Sequence, residues 1–137
     1  MNAIQHVAFN CIDRKAQERF YTQYLGFRRA RVFNAGQPNE FVMLRLGSAC
    51  LELFDAKPED RSQRAGQQKI GFKHIAFEVD DLESKVAQLR QDGVQTKEIV
   101  DCSRFQPGMR VCFLEDPEGN VVELMEGYAD QSNPPAL

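Results

Sequence analysis

The sequence predicts an α+β fold made of two tandem β-α-β-β-β modules. Three observations carry this. The phrase x-x-His-apolar-Ala-Phe occurs twice, at His6 and at His74, 68 residues apart. An apolar run ending Glu-Leu also occurs twice, around Glu52 and Glu123, 71 residues apart. Between these marks both copies show the same succession of alternating and helical patterns. Two residue types recurring at nearly one offset point to an internal repeat. The His-to-Glu spacing is 46 residues in the first copy and 49 in the second.

Taken in order, residues 3–10 alternate and favour a strand. Asp13 suits the N-cap of a helix reaching about Leu25, and Gly26 suits its C′ position. Ala16, Phe20 and Tyr24 recur at four-residue spacing and are the expected buried face. Strands follow at about 27–34, 40–46 and 49–54. The second copy opens with a strand at 73–79. Asp80 or Asp81 then caps a helix with Leu82, Val86 and Leu89 on its apolar face, ended by Gly93. Strands are expected at 95–100, 110–115 and 120–126, the last two joined by a tight Asp-Pro-Glu-Gly turn at 116–119. Module 1 thus spans about 3–55 and module 2 about 72–128. The polar stretch 56–71 reads as a linker, the tail after Tyr128 as frayed, and residues 1–137 as one domain.

With 137 residues and 42% apolar content, the chain has enough material for a core. The net charge is −3 with both signs interspersed, so no basic stripe suggests a nucleic-acid partner. No apolar run approaches a membrane span, and no signal-peptide pattern opens the chain. A cytoplasmic protein is expected. Its four cysteines, Cys11, Cys50, Cys102 and Cys112, form no CxxC pair and are expected to be free thiols packed as small hydrophobes.

Side chains alternate across a strand. Val7 and Phe9 should therefore pack under the first helix, while His6 and Ala8 face away. Ile75 and Phe77 should pack under the second, while His74 and Ala76 face away. Glu52 between Leu51 and Leu53, and Glu123 between Val122 and Leu124, also leave the helix-packed layer. Taken singly, each is an ordinary strand residue. Taken as a repeat, they offer two imidazoles and two carboxylates. That donor set suits one divalent first-row metal ion, Ni, Zn, Co, Mn or Fe, with positions left for water or substrate.

These residues resemble the vicinal oxygen chelate superfamily, also called the glyoxalase/bleomycin-resistance/dioxygenase family. The phrases "HVAFNCIDRKAQERFYTQYLGF", "LRLGSACLELF", "GFKHIAFEVDDL" and "VCFLEDPEGNVVELMEGY" carry the resemblance over about residues 4–127. The ending Phe-x-x-Asp-Pro-x-Gly-Asn-x-x-Glu-Leu is the most specific of them. The resemblance implies paired βαβββ modules forming a cupped mixed sheet around a divalent metal held by His6, Glu52, His74 and Glu123. A full His, Glu, His, Glu set is most similar to glyoxalase I and its relatives, including methylmalonyl-CoA epimerase. Extradiol dioxygenases and fosfomycin-resistance transferases lack the first-half Glu, and bleomycin-sequestering members typically lack the metal set.

The activity implied is that of a lyase or isomerase. Glu52 and Glu123 are its catalytic candidates, moving a proton next to the carbonyl of a small α-oxygenated compound or thioester through a metal-stabilised enediolate. The alternatives are an Fe(II) dioxygenase and a non-catalytic protein that binds a small molecule or antibiotic. Asn10 stands where bacterial glyoxalase I enzymes usually carry Arg, and Ala56 where they carry Asn. Both family residues help hold glutathione, so the thiol carrier is left open. Arg104 and Arg110 flank the loop 105–109 and are candidate substrate contacts, as is Cys50 on the strand face of Glu52. A homodimer is implied by the smaller family members.

Overall fold

The computed structural model describes residues 5–60, 74–132 and 135. The chain divides into two compact units. One comprises Met1–Gly71 with Asp116–Asn120, the other Phe72–Glu115 with Val121–Leu137. Each carries one four-stranded mixed sheet and one α-helix. Among the described residues no helix is long and apolar enough to cross a membrane.

In the first unit β1 (His6–Cys11), α1 (Arg14–Tyr24), β2 (Arg28–Phe33), β3 (Phe41–Leu46) and β4 (Ala49–Asp55) follow one another, and the sheet order is β1-β4-β3-β2. β1 and β4 run parallel; the β2-β3 and β3-β4 pairs are antiparallel. The second unit repeats this order with β5 (Ile75–Glu78), α2 (Leu82–Gln91), β6 (Val100–Asp101), β7 (Arg110–Glu115) and β8 (Val121–Glu126), in sheet order β5-β8-β7-β6. The expected element order and fold class are both present. Of the linker, Pro58–Asp60 form a single 3-10 turn; residues 61–71 lie outside the described residues.

Caps set the helix limits. The Asp13 carboxylate accepts the amide hydrogen of Ala16 at 2.9 Å, and Asp81 accepts that of Ser84 at the same distance. At the other end Gly26 and Gly93 take φ of +74° and +85°, a conformation that costs a Cβ-bearing residue energy. Leu82, Val86 and Leu89 are buried, as their spacing predicts.

The first helix corrects its expected face. The buried residues are Arg14, Gln17, Glu18, Phe20 and Tyr21, whereas Ala16 and Tyr24 are only half-buried. The helical period is right and the phase is not, because polar side chains with distant partners occupy the covered side. Arg14 donates to Asp55 at 3.2 Å and to Glu40 at 2.9 Å. Arg29 forks onto Glu18. Gln17 and Tyr21 reach the Asp116 carboxylate at 2.7 and 3.1 Å. Tyr21 also centres an aromatic cluster, with Phe9, Phe20 and Phe27 ring centroids 6.0, 5.5 and 5.7 Å away.

A second correction concerns 95–100. Only Val100–Asp101 pair as a strand, with one further bridge between Thr96 and Leu114. The reason is local. Arg90 at the end of α2 donates to the Thr96 hydroxyl at 2.8 Å and to the Lys97 carbonyl at 3.0 Å, and the Cys112 thiol also reaches that carbonyl. Backbone groups held by side chains do not extend a ladder.

Candidate metal centre

The two candidate pairs are built by the same strand register. In the first unit Ala8 of β1 pairs with Glu52 of β4, and Met43 of β3 pairs with Glu52 from the other side. In the second Ala76 pairs with Glu123, and Phe113 pairs with Glu123. Each Glu is thus flanked by an Ala, and each His stands two residues before that Ala, one rung away on the same face. The small Ala side chain leaves the space into which imidazole and carboxylate lean. α1 packs on β1 and β4 and α2 on β7 and β8, so these faces are the ones the helices leave free.

His6 Nε2 lies 3.4 Å from Glu52 Oε2, and His74 Nε2 lies 2.7 Å from Glu123 Oε2. The pairs differ in setting. The Glu123 side chain is 8% exposed and that of Glu52 15%, while the His6 ring is 40% exposed. The His6 Nδ1 faces the Gln5 amide oxygen, which fixes Nε2 as the nitrogen directed at Glu52. The His74 ring rests edge-on against Phe113 at 5.8 Å. Glu123, the most enclosed of the four, has the shorter contact, as a buried carboxylate requires.

The donor set fits a divalent ion. Two protein donors each about 2.1 Å from one metal at a right angle are about 3.0 Å apart, and at a tetrahedral angle about 3.4 Å. The 3.4 Å separation of His6 and Glu52 falls in this range, whereas His74 and Glu123 at 2.7 Å are in direct contact and would part by a few tenths of an ångström to take an ion between them. Among the described residues no group of three or more His, Cys, Asp or Glu side chains gathers at one point; the donors come as two pairs.

The other candidates are placed as follows. Cys50 pairs with His6 across β1-β4, shares its face, and is buried. Arg110 donates to Glu126 at 3.0 and 2.6 Å and to Glu83 at 2.7 Å, on the face opposite Glu123. The Glu126 carboxyl is held below its usual value by the Arg110 hydrogen bonds and the Leu82 amide. Arg104 lies over the Phe105 ring at 4.5 Å on the exposed loop 102–109. That loop is tied to the end of β8 by the Gln106 amide, which donates to the Gly127 carbonyl at 3.0 Å.

Sequence reasoning missed two groups. The first is the Asp116 carboxylate, 4% exposed, which accepts from Gln17, Tyr21, Asn120 and two backbone amides. The second is a column of stacked rings, Phe33, Phe41 and Phe54, on the helix-free face of the first sheet. The alternation of β2, β3 and β4 carried that signal, had their aromatic positions been aligned on one rung.

Known proteins resemble this chain in sequence and in fold. Residues 3–124 match the family model of the Glyoxalase/Bleomycin resistance protein/Dioxygenase superfamily. The uncharacterized protein YwkD of Bacillus subtilis (strain 168) is 30% identical over 130 residues, covering 92% of this chain and 98% of that protein. A glyoxalase family protein from Enterococcus faecalis superimposes with a TM-score of 0.72 at 31% identity, covering 91% of this chain and 98% of the other. The lactoylglutathione lyase from Agrobacterium tumefaciens superimposes with a TM-score of 0.66 at 26% identity, covering 93% and 95%.

Proposed function

The chain belongs to the Glyoxalase/Bleomycin resistance protein/Dioxygenase superfamily, and on that footing we propose that it is a divalent-metal-dependent lyase or isomerase of the glyoxalase I type. Its substrate class is a small α-oxygenated carbonyl compound or thioester. His6, Glu52, His74 and Glu123 are the metal ligands in this reading. The observation that supports it is the pair of equivalent His–Glu contacts, at 3.4 and 2.7 Å, set by one register in both sheets. The likeness to a lactoylglutathione lyase adds support. We place the protein in the cytoplasm as a homodimer; four free thiols suit a reducing compartment.

His6, Glu52, His74 and Glu123 would hold the divalent ion, which would supply Lewis-acid polarisation of the substrate's oxygens and electrostatic stabilisation of the negative charge that develops there. The chain's own work is proton transfer. Glu52 is the more exposed carboxylate and stands farther from its histidine, so it has the freedom to swing. It takes the proton from the hydroxyl-bearing carbon beside the carbonyl and returns it to the former carbonyl carbon, while the hydroxyl proton passes to the other substrate oxygen. Glu123, enclosed and close to His74, keeps its position. The first-half Glu distinguishes this reading from a dioxygenase, which works with two His and one Glu.

The test is substitution with metal analysis, using methylglyoxal with several thiols. Glu52→Gln is expected to keep its metal and lose about 10²–10⁴-fold in kcat, the share of a general base. Glu123→Gln is expected to lose metal and turnover together. Full activity in either variant sinks the mechanism. Oxygen consumption with bound iron supports the dioxygenase instead.

A further inference from the structure

We propose that the helix-free face of the first sheet binds a small planar aromatic anion, its ring seated over Ala8 and Asn10 where it continues the phenylalanine column. Only the identity of this ligand as substrate rests on the proposed function; the recognition itself needs neither metal nor turnover.

The column comes from three adjacent strands. Phe33 and Phe41 stack at 4.5 Å with planes 8° apart, and Phe41 and Phe54 at 4.5 Å with planes 20° apart. This spacing matches the separation of neighbouring strands, roughly 4.8 Å, so the rings stand side by side along one rung. The next strand is β1, and the residue that pairs with Phe54 there is Asn10. Asn10 is short and exposed, and its neighbour on the same face is Ala8. The column therefore stops one strand short of the sheet edge, with the short, exposed Asn10 in place of a ring beside Phe54. A flat ring laid there meets Phe54 at the spacing the column already uses. Glu52 stands one rung along from Phe54, roughly 6.6 Å at the backbone. A carbon one or two bonds from such a ring comes beside the His6–Glu52 pair.

Charge selects the ligand's sign. Arg28, Arg31 and Arg45 share this face by register, since Arg28 pairs with Arg45, Arg45 with Cys50, and Arg31 with Met43 beside Glu52. The Arg31 guanidinium also lies over Phe33, 5.6 Å from its centroid. Among the described residues none of the three has a carboxylate partner. Arg14, Arg29, Arg90 and Arg110 each do. These guanidinium groups stand on β2 and β3, across the sheet from Ala8 and Asn10, so they give the face a positive field around half-buried rings, which suits an anion with a flat apolar body.

The test uses naphthoate, excited to the red of tyrosine absorption, where a chain without Trp adds no fluorescence of its own. Chelator-treated protein is expected to bind naphthoate saturably, and cyclohexanecarboxylate, equally charged but not flat, about tenfold more weakly. Phe54→Leu is expected to weaken naphthoate binding about fivefold, and Phe33→Leu at the far end of the column less than about twofold. Asn10→Phe fills the space with the chain's own ring and is expected to block the probe. Arg45→Gln and Arg31→Gln are expected to weaken binding and flatten its salt dependence. The proposal fails if wild type does not bind naphthoate, if the two acids bind alike, or if the two Phe variants behave alike. It also fails if Asn10→Phe or the Arg variants bind as wild type. A change of oligomeric state in Phe54→Leu with naphthoate binding intact makes the face an interface between copies, which overturns it. A protein that binds naphthoate as stated but turns over no carbonyl substrate removes the lyase reading alone. An active lyase that ignores naphthoate removes this proposal alone.

Discussion

Replacing Asp116 by alanine removes the acceptor on which the most enclosed polar groups of the first unit depend. The carboxylate takes hydrogen bonds from Gln17 Nε2 at 2.7 Å, Tyr21 Oη at 3.1 Å and Asn120 Nδ2 at 2.8 Å, and from the amides of Glu118 and Asn120 at 3.0 and 2.9 Å. Asn120 is exposed and Glu118 only half-buried, so their amides turn to water when the acceptor is lost. Gln17 and Tyr21 are fully enclosed at 0% exposure and have no such recourse. Gln17 already carries one unsatisfied buried atom, its amide oxygen. Two orphaned buried donors at about 1–3 kcal/mol each put the loss at about 2–6 kcal/mol. Tyr21→Phe removes one donor and leaves Asp116 its other four, so its cost is about 1–2 kcal/mol. Urea unfolding followed by far-UV circular dichroism, at pH 7, gives both numbers. The reasoning is refuted if Asp116→Ala falls within about 1 kcal/mol of wild type, or if Tyr21→Phe costs as much.

Thiol labelling offers a second check. Burial pushes the Cys11 thiol up to about 12, with the charges of Glu118 and Asp116 adding to it, and burial also raises Cys112. Cys50 is 1% exposed, whereas Cys102 is half-buried. A thiol reagent at pH 8 is therefore expected to label Cys102 first in the native chain and the other three only on unfolding; quantitative mass spectrometry reads the order. Acid gives a third. Glu40, held down by the Gly36 amide and then Arg14, and Glu126, held down by Arg110, both ionise below their ordinary values in the fold. Depressed carboxyls contribute stability that is fully present above the unfolded value near about 4.3 and is lost as pH falls through the lower folded values. The denaturation midpoint is expected to drop in the wild type below about pH 4.3, and less steeply in an Arg110→Gln variant.

The strand alternation and the helix stops were legible in the sequence because they are local. Asp13 and Asp81 cap where their side chains reach an amide three residues on, and Gly26 and Gly93 end helices by backbone conformation. The positions of His6, Glu52, His74 and Glu123 on helix-free strand faces followed from period two. What escaped depended on partners remote in sequence. The covered face of the first helix, read as Ala16, Phe20 and Tyr24, lies instead along Arg14, Gln17 and Tyr21, because Asp116 stands 99 residues from Gln17 and makes a buried amide tolerable. The strand at 95–100 shrank because Arg90 holds the Lys97 carbonyl, a contact no period encodes. The phenylalanine column needs the register of three strands, and loop lengths alone do not give that register. Arg110, a candidate substrate contact by position in the chain, instead closes a pair with Glu126 and Glu83 across the helix-facing side.

The measurement that bears most directly on the proposed metal centre is the metal content of the purified 137-residue chain, by elemental analysis against protein concentration. If His6, Glu52, His74 and Glu123 form one ligand set, wild type binds one divalent first-row ion per chain, and His6→Ala and His74→Ala each abolish it. Two ions per chain, each lost with only one of the two histidines, make the pairs separate sites and contradict the account. So does a wild type that stays free of metal after incubation with Ni, Zn, Co, Mn or Fe(II).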